Sequence, residues 1–203
     1  MKNAMNIVKG VAVAGALVMS GNAMAEFSGN VGITSNYVWR GVTQTADQSA
    51  ISGGLDYAHE SGAYVGTWTS NVAGGYELDT YLGFAGKAGA VGYDVGYISY
   101  AYPHDTTLDF AEIYLGVSFA DLELKLSSDG DNKSTYTEVA YSFALPAEYS
   151  LGLHYGMYGF DGGVGDYNDY SLSVGKGDFS FTMSNTDVEN DYYRVAVSWS
   201  QSF

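Results

Sequence analysis

Over the last eleven residues, from Tyr193 to Phe203, apolar and small polar side chains alternate one for one. Tyr193, Val195, Val197, Trp199, Gln201 and Phe203 fall on one face of an extended chain, and Arg194, Ala196, Ser198, Ser200 and Ser202 on the other. Successive side chains of a strand point to opposite sides, so this segment has an apolar face with aromatics at both ends and a second face of small polar groups. Gln201 is the one departure from the apolar face. Such a face suits a hydrocarbon layer bounded by two interfaces, and it also suits the core of a soluble sandwich. The rest of the chain separates the two.

The period of two recurs throughout. Phe27, Gly29, Val31, Ile33, Ser35, Tyr37 and Trp39 alternate with Ser28, Asn30, Gly32, Thr34, Asn36, Val38 and Arg40, which predicts a long first strand with Arg40 at its top. Further alternating segments surround Leu55, Leu82, Val95, Leu115, Leu124, Tyr141, Leu153, Leu172 and Phe181. Residues 63–70 put Tyr64 and Trp68 on one side and Ala63 and Val65 on the other, so the register there stays open. With the last strand the count is twelve. Connections alternate as well. Short turns such as Ala120-Asp121, Pro146-Ala147 and Gly175-Lys176-Gly177 contrast with longer polar stretches at 102–107, 128–133, 159–166 and 185–190. Charges keep to one face of each clear strand, while aromatics such as Phe27, Trp39, Tyr57, Phe84, Phe119 and Phe179 gather at the ends of the apolar faces, as bilayer interfaces require. Together these features predict an all-β transmembrane barrel, antiparallel and up-and-down, with both termini on the periplasmic side.

The beginning of the chain fits that destination. Lys2 and Lys9 precede an apolar run at 11–19, and Ala23-Met24-Ala25 places small residues at a signal-peptidase site. Residues 1–25 therefore read as a secretory signal and residues 26–203 as the barrel. The apolar run is too short to cross a bilayer as a helix. Taking 25 residues from 203 leaves 178, one domain, and losing two lysines moves the net charge from −15 to −17. A polyanion of this kind is a poor partner for nucleic acid, whose phosphates need a basic surface. The absence of cysteine excludes a disulfide framework and a thiolate metal site. With 27 glycines, 19 tyrosines and a mean hydropathy of −0.06, the composition is that of lipid-facing and water-facing surfaces averaged together.

The aromatic end at Phe203 resembles the closing strand of bacterial outer-membrane barrels, where it is read by the barrel-insertion machinery. The stretch Ser35-Asn36-Tyr37-Val38-Trp39-Arg40-Gly41-Val42-Thr43-Gln44-Thr45 resembles the N-terminal signature of the TorF-family porins of Gram-negative bacteria. Gly53-Gly54-Leu55-Asp56-Tyr57, Tyr93-Asp94-Val95-Gly96-Tyr97 and Ala111-Glu112-Ile113-Tyr114 extend the likeness along the chain in order, although Gln48-Ser49-Ala50 lacks the proline common there. The resemblance implies an outer-membrane location and a channel, and it carries no substrate.

From the residues, the polar faces predict a lumen lined by Arg40, Asp56, Glu77, Asp79, Asp94, Glu112, Glu123, Lys125, Glu138, His154, Asp169 and Arg194. Counting Asp178 as well, nine carboxylates face two arginines and one lysine, an excess that predicts cation preference. Arg40 and Arg194, at the tops of the first and last strands, are expected near Asp47 or Asp191, as a small basic site or as ion pairs of the loop crown. Twelve strands leave a passage of roughly 10 Å or less, narrowed by Tyr81 and Tyr114, for small hydrophilic solutes. No cofactor or resident metal is expected: Asp129-Gly130-Asp131-Asn132 offers oxygen ligands but lacks the later bidentate Glu of a calcium loop. His59, His104 and His154 have no Ser and Asp at triad spacing, which argues against an outer-membrane hydrolase. A sealed barrel acting through its loops is the remaining alternative. Outer-membrane lipid is the expected partner, and the oligomeric state is not fixed by sequence.

Overall fold

The structure, a computed structural model, describes residues 25–203. Apart from Ala25, the segment read as a secretory signal lies outside the described residues. The elements in chain order are β1 (Glu26–Thr34), β2 (Val38–Trp39), β3 (Val42–Thr43), β4 (Ala50–Ala58), β5 (Ala63–Val72), β6 (Gly75–Ala88), β7 (Val91–Ala101), β8 (Phe110–Phe119), β9 (Leu122–Asp129), β10 (Ser134–Ala144), β11 (Tyr149–Phe160), β12 (Tyr167–Lys176), β13 (Phe179–Thr186) and β14 (Arg194–Ser202). Twelve of these strands close into one antiparallel barrel in which β1 pairs with both β4 and β14. β2 and β3 pair only with each other.

The wall is inside out relative to a soluble protein. Glu112 is 3% exposed while its neighbour Ile113 is 64% exposed, and the same inversion sets Asp79 at 1% against Leu82 at 55%. Leu55, Leu115, Leu124, Phe181 and Val197 stand on the outer surface with them. A contiguous apolar surface of this extent is untenable in water and matches the hydrocarbon layer of a membrane.

The seam is closed by reciprocal backbone bonds between Gly29 and Phe203 at 2.8 and 2.9 Å. The Phe203 ring lies where a Cβ on Gly29 would have to go. Inside, Tyr and Gly are paired. Tyr64 pairs across the ladder with Gly83, Tyr81 with Gly66, and Tyr114 with Gly96, and the phenol of each occupies the space a Cβ on its glycine would need. A bare backbone lets the ring cover it, which fills the lumen on the β5–β8 side without straining the strands.

Several boundaries differ from those the alternation predicts. The first strand stops at Thr34, because the chain then turns inward instead of continuing up the wall, so Trp39 is an interior residue and not part of an outer aromatic belt. The open register at 63–70 resolves with Tyr64 and Ser70 buried inside and Ala63 and Val65 outside. β6 runs through Gly86-Lys87-Ala88, and the turn falls at Gly89-Ala90, where Gly89 takes φ 65°. β12 likewise runs through Lys176, which leaves Asp178 in a turn and not on the inner face. Only Ala73 and Gly74 join β5 to β6, so one connection at the loop end is as tight as those at the termini end.

Candidate functional site

Residues 35–49, between β1 and β4, fold into the barrel. β2 and β3 form a hairpin whose two-residue turn is Arg40-Gly41, at φ 48° and 78°. Both values belong to the primed turns that suit hairpin twist, and Gly41 takes its value freely. Arg40 does so against preference, and such left-handed residues persist where the surroundings fix them. The base of the hairpin is tied by Thr43 Oγ1 donating to Asn36 Oδ1 at 2.7 Å and by Asn36 Nδ2 donating to Asp47 at 2.7 Å.

From this base the hairpin crosses the lumen. The Arg40 guanidinium donates two hydrogen bonds to the Glu112 carboxylate on β8, at 2.7 and 2.8 Å. Its Cζ lies 4.1 Å from the ring centroids of Trp39 and Tyr136 and 4.9 Å from that of Tyr158. Arg194 of β14 donates to the Gly41 carbonyl at 2.9 Å, and Tyr167 of β12 donates to the Arg40 carbonyl at 3.2 Å. Tyr37 donates to Glu77 on β6 at 2.8 Å. The Arg40 side chain thus meets the wall opposite the root, while Gly41 is held by β14 beside it. At this level the barrel is filled, with buried inward residues running from Ser70 and Glu77 on one side to Ser127, Tyr136 and Asp169 on the other.

Nearer the termini end, the β9–β13 side keeps space. The side chains of Lys125, Glu138 and His154 remain 26, 27 and 23% exposed. Lys125 lies 3.9 Å from Glu138, and His154 lies 3.1 Å from Asp169, which also accepts from Tyr136 at 2.8 Å. Asp94 accepts from Tyr64 at 2.6 Å and Asp56 accepts from Tyr81, while Glu123 is exposed toward the termini end. Glu77 also accepts from Tyr102 at 2.7 Å, but neither oxygen of buried Asp79 has a protein partner.

Of the two arrangements expected for Arg40 and Arg194, a shared basic site and ion pairs, the structure has ion pairs, with Asp191 as the expected partner of Arg194. Arg40 reaches Glu112 because it rides the inward hairpin, whereas Arg194 pairs with Asp191 at 2.9 Å. Asp47 is taken by Asn36 and, at 2.7 Å, by Tyr192. Asp191 also accepts from Thr186, and its carboxyl is held down to about 2 chiefly by the Arg194 hydrogen bond. Asp129 caps its own turn, accepting from Asp131 and Asn132, and no cluster of three or more metal-ligating side chains exists among the described residues. Sequence reading missed the hairpin because its alternation continues that of β1; the Arg40-Gly41 pair was the available signal.

A family model described as "Bacterial protein of unknown function (Gcw_chp)" matches residues 19–201. The chain belongs to the Gcw_chp family. Curated proteins provide no match. Among solved structures, this Gcw_chp member is similar to the KdgM porin, with TM-score 0.61 and 10% identity over 85% of this chain and 98% of that one. It is also similar to a structure described as "Unveiling the Mechanism Behind the in-meso Crystallization of Membrane Proteins", with TM-score 0.58 and 8% identity over 87 and 83% of the two chains. Pseudomonas aeruginosa OpdK with vanillate matches at TM-score 0.43 and 14% identity, over 79% of this chain and 58% of that chain. At these identities the likeness to the first two shows a shared barrel fold.

Proposed function

We propose that this Gcw_chp protein is a porin-like channel of the Gram-negative outer membrane, passing small hydrophilic solutes by diffusion and preferring cations. The observation that carries the reading is the inverted wall: ionisable groups inside, a continuous apolar surface outside. In this reading the termini end is periplasmic, the insertion machinery reads Phe203, and the likeness of residues 35–45 to TorF-family porins has a functional basis. Asp56, Asp94, Glu123 and Glu138 line the more open part of the lumen with Lys125 and His154, whereas Glu77, Asp79, Glu112, Asp169, Arg40 and Arg194 are packed at the hairpin level. Their excess of carboxylates concentrates cations in a narrow low-dielectric space. Screening at about 0.15 M salt, with a Debye length of roughly 8 Å, weakens the preference. No catalytic role is assigned.

The filled level at the hairpin favours a second reading, a sealed barrel acting through its loops. Swelling of proteoliposomes distinguishes the two. The channel reading expects uptake of monosaccharides and amino acids but not of large oligosaccharides. Absence of swelling from both the intact chain and one with the hairpin shortened supports the sealed barrel.

A further inference from the structure

The surroundings of Arg40 have the composition of a ligand site. A carboxylate meets the guanidinium through two parallel hydrogen bonds, at 2.7 and 2.8 Å, and aromatic faces cover it at 4.1 Å on two sides. Tyr158 adds a third ring at 4.9 Å. Bidentate pairing selects a planar fork over a point charge, and stacked rings select a flat, weakly hydrated cation. Three of the four partners, Glu112, Tyr136 and Tyr158, belong to β8, β10 and β11, so the wall supplies the site and only Trp39 travels with the hairpin. Tyr136 is itself fixed by donating to Asp169 at 2.8 Å.

We propose that this cage is a guanidinium-binding subsite of the lumen, which the chain occupies with its own Arg40 when the hairpin is seated. A small solute carrying a guanidinium meets the same carboxylate and the same rings. By taking them it releases the hairpin tip and gains the filled level of the barrel. The occupant is tethered at an effective concentration of about millimolar, so an external guanidinium binds the intact chain weakly and gains affinity once Arg40 is removed. The transport use of the site rests on the channel reading above, but the binding does not.

The test is calorimetric titration of L-arginine into the full barrel in detergent, with citrulline as the neutral isostere. Arg40→Ala is expected to bind arginine at least tenfold more tightly than the unsubstituted protein and to prefer arginine over citrulline by at least tenfold. Arg40→Ala combined with Glu112→Gln is expected to lose that gain. Barrel formation is verified by the migration of unheated samples on gels, and Arg40→Gln, which keeps the side-chain stem, replaces Arg40→Ala where the latter does not form the barrel. Arginine binding no tighter than to the unsubstituted protein overturns the proposal, as does equal binding of citrulline. Conductance is not read in this experiment, so its failure is distinct from failure of the channel reading.

Discussion

Arg40 and Glu112 stand 72 residues apart in sequence and form a two-pronged ion pair at 2.7 and 2.8 Å across the barrel interior. Both side chains are almost wholly covered, at 7 and 3% exposure. Taking one partner from such a pair leaves an uncompensated buried charge, which costs about 3 to 5 kcal/mol. Glu112→Ala is therefore expected to destabilise the barrel by roughly that amount in reversible unfolding from lipid vesicles. Arg40→Ala with Glu112→Ala together should cost less than the two single changes added. Strict additivity would show that the pair is not coupled.

The direction of each wall residue is testable by charge. Leu172 faces outward in the middle of β12, and Ser173 beside it faces the open side of the lumen. Leu172→Arg is expected to cost about 2 to 4 kcal/mol near the midplane, and Ser173→Arg much less. Val197 and Ser198 would be a poorer pair, since Ser198 is only 5% exposed under the packed interior and has no room for a long side chain. Equal costs at Leu172 and Ser173 would reverse the assigned faces.

Tyrosine over glycine makes a graded prediction on a single face. A Cβ on Gly83 would strike the Tyr64 ring and the Val95 backbone, whereas one on Gly116 meets nothing nearer than 3.7 Å. Gly83→Ala should cost about 1 to 3 kcal/mol through overpacking. Gly116→Ala should be nearly neutral. A loss at Gly116 as large as at Gly83 would show that general strand propensity, and not the ring contact, governs these positions.

Asp191 gives the hairpin a pH dependence. Its carboxyl is depressed to about 2, first by the Arg194 hydrogen bond, and Arg194 in turn holds the Gly41 carbonyl. A depressed acid contributes stability that is fully present above its unfolded value of about 3.9 and is lost as pH falls through the folded value. Proteolysis of the hairpin should therefore rise as pH drops from about 4 to about 2, read with an acid-active protease. The dependence should vanish in Asp191→Asn. A hairpin equally protected at both ends of that window would contradict the linkage.

The barrel was legible because its signal is periodic and redundant. Twelve segments alternate, and a misplaced turn such as Gly175-Lys176-Gly177 shifts one boundary without changing the architecture. The hairpin was not legible for the same reason: Ser35 to Arg40 preserves the period of two, and apart from the Arg40-Gly41 pair nothing local distinguishes a strand climbing a wall from one folded off it. Its position is decided by partners far along the chain, Glu112, Tyr136, Tyr167 and Arg194. The inward placement of Glu77, Asp79 and Asp169 followed from alternation, whereas their hydrogen-bond partners depend on ring packing that only the closed barrel defines.

Single-channel recording in planar bilayers tests the central claim most directly. Thr34 and Ala50 are register partners, so a short glycine turn can replace the hairpin without reshaping the wall. The account expects brief, small conductance steps from the intact chain and larger, sustained ones from the hairpin-shortened chain. In a KCl gradient at low salt, the reversal potential should have the cation-selective sign and move toward zero when Asp56, Glu123 and Glu138 are neutralised together. Silence from both chains, or an anion-selective sign from the shortened one, would contradict it.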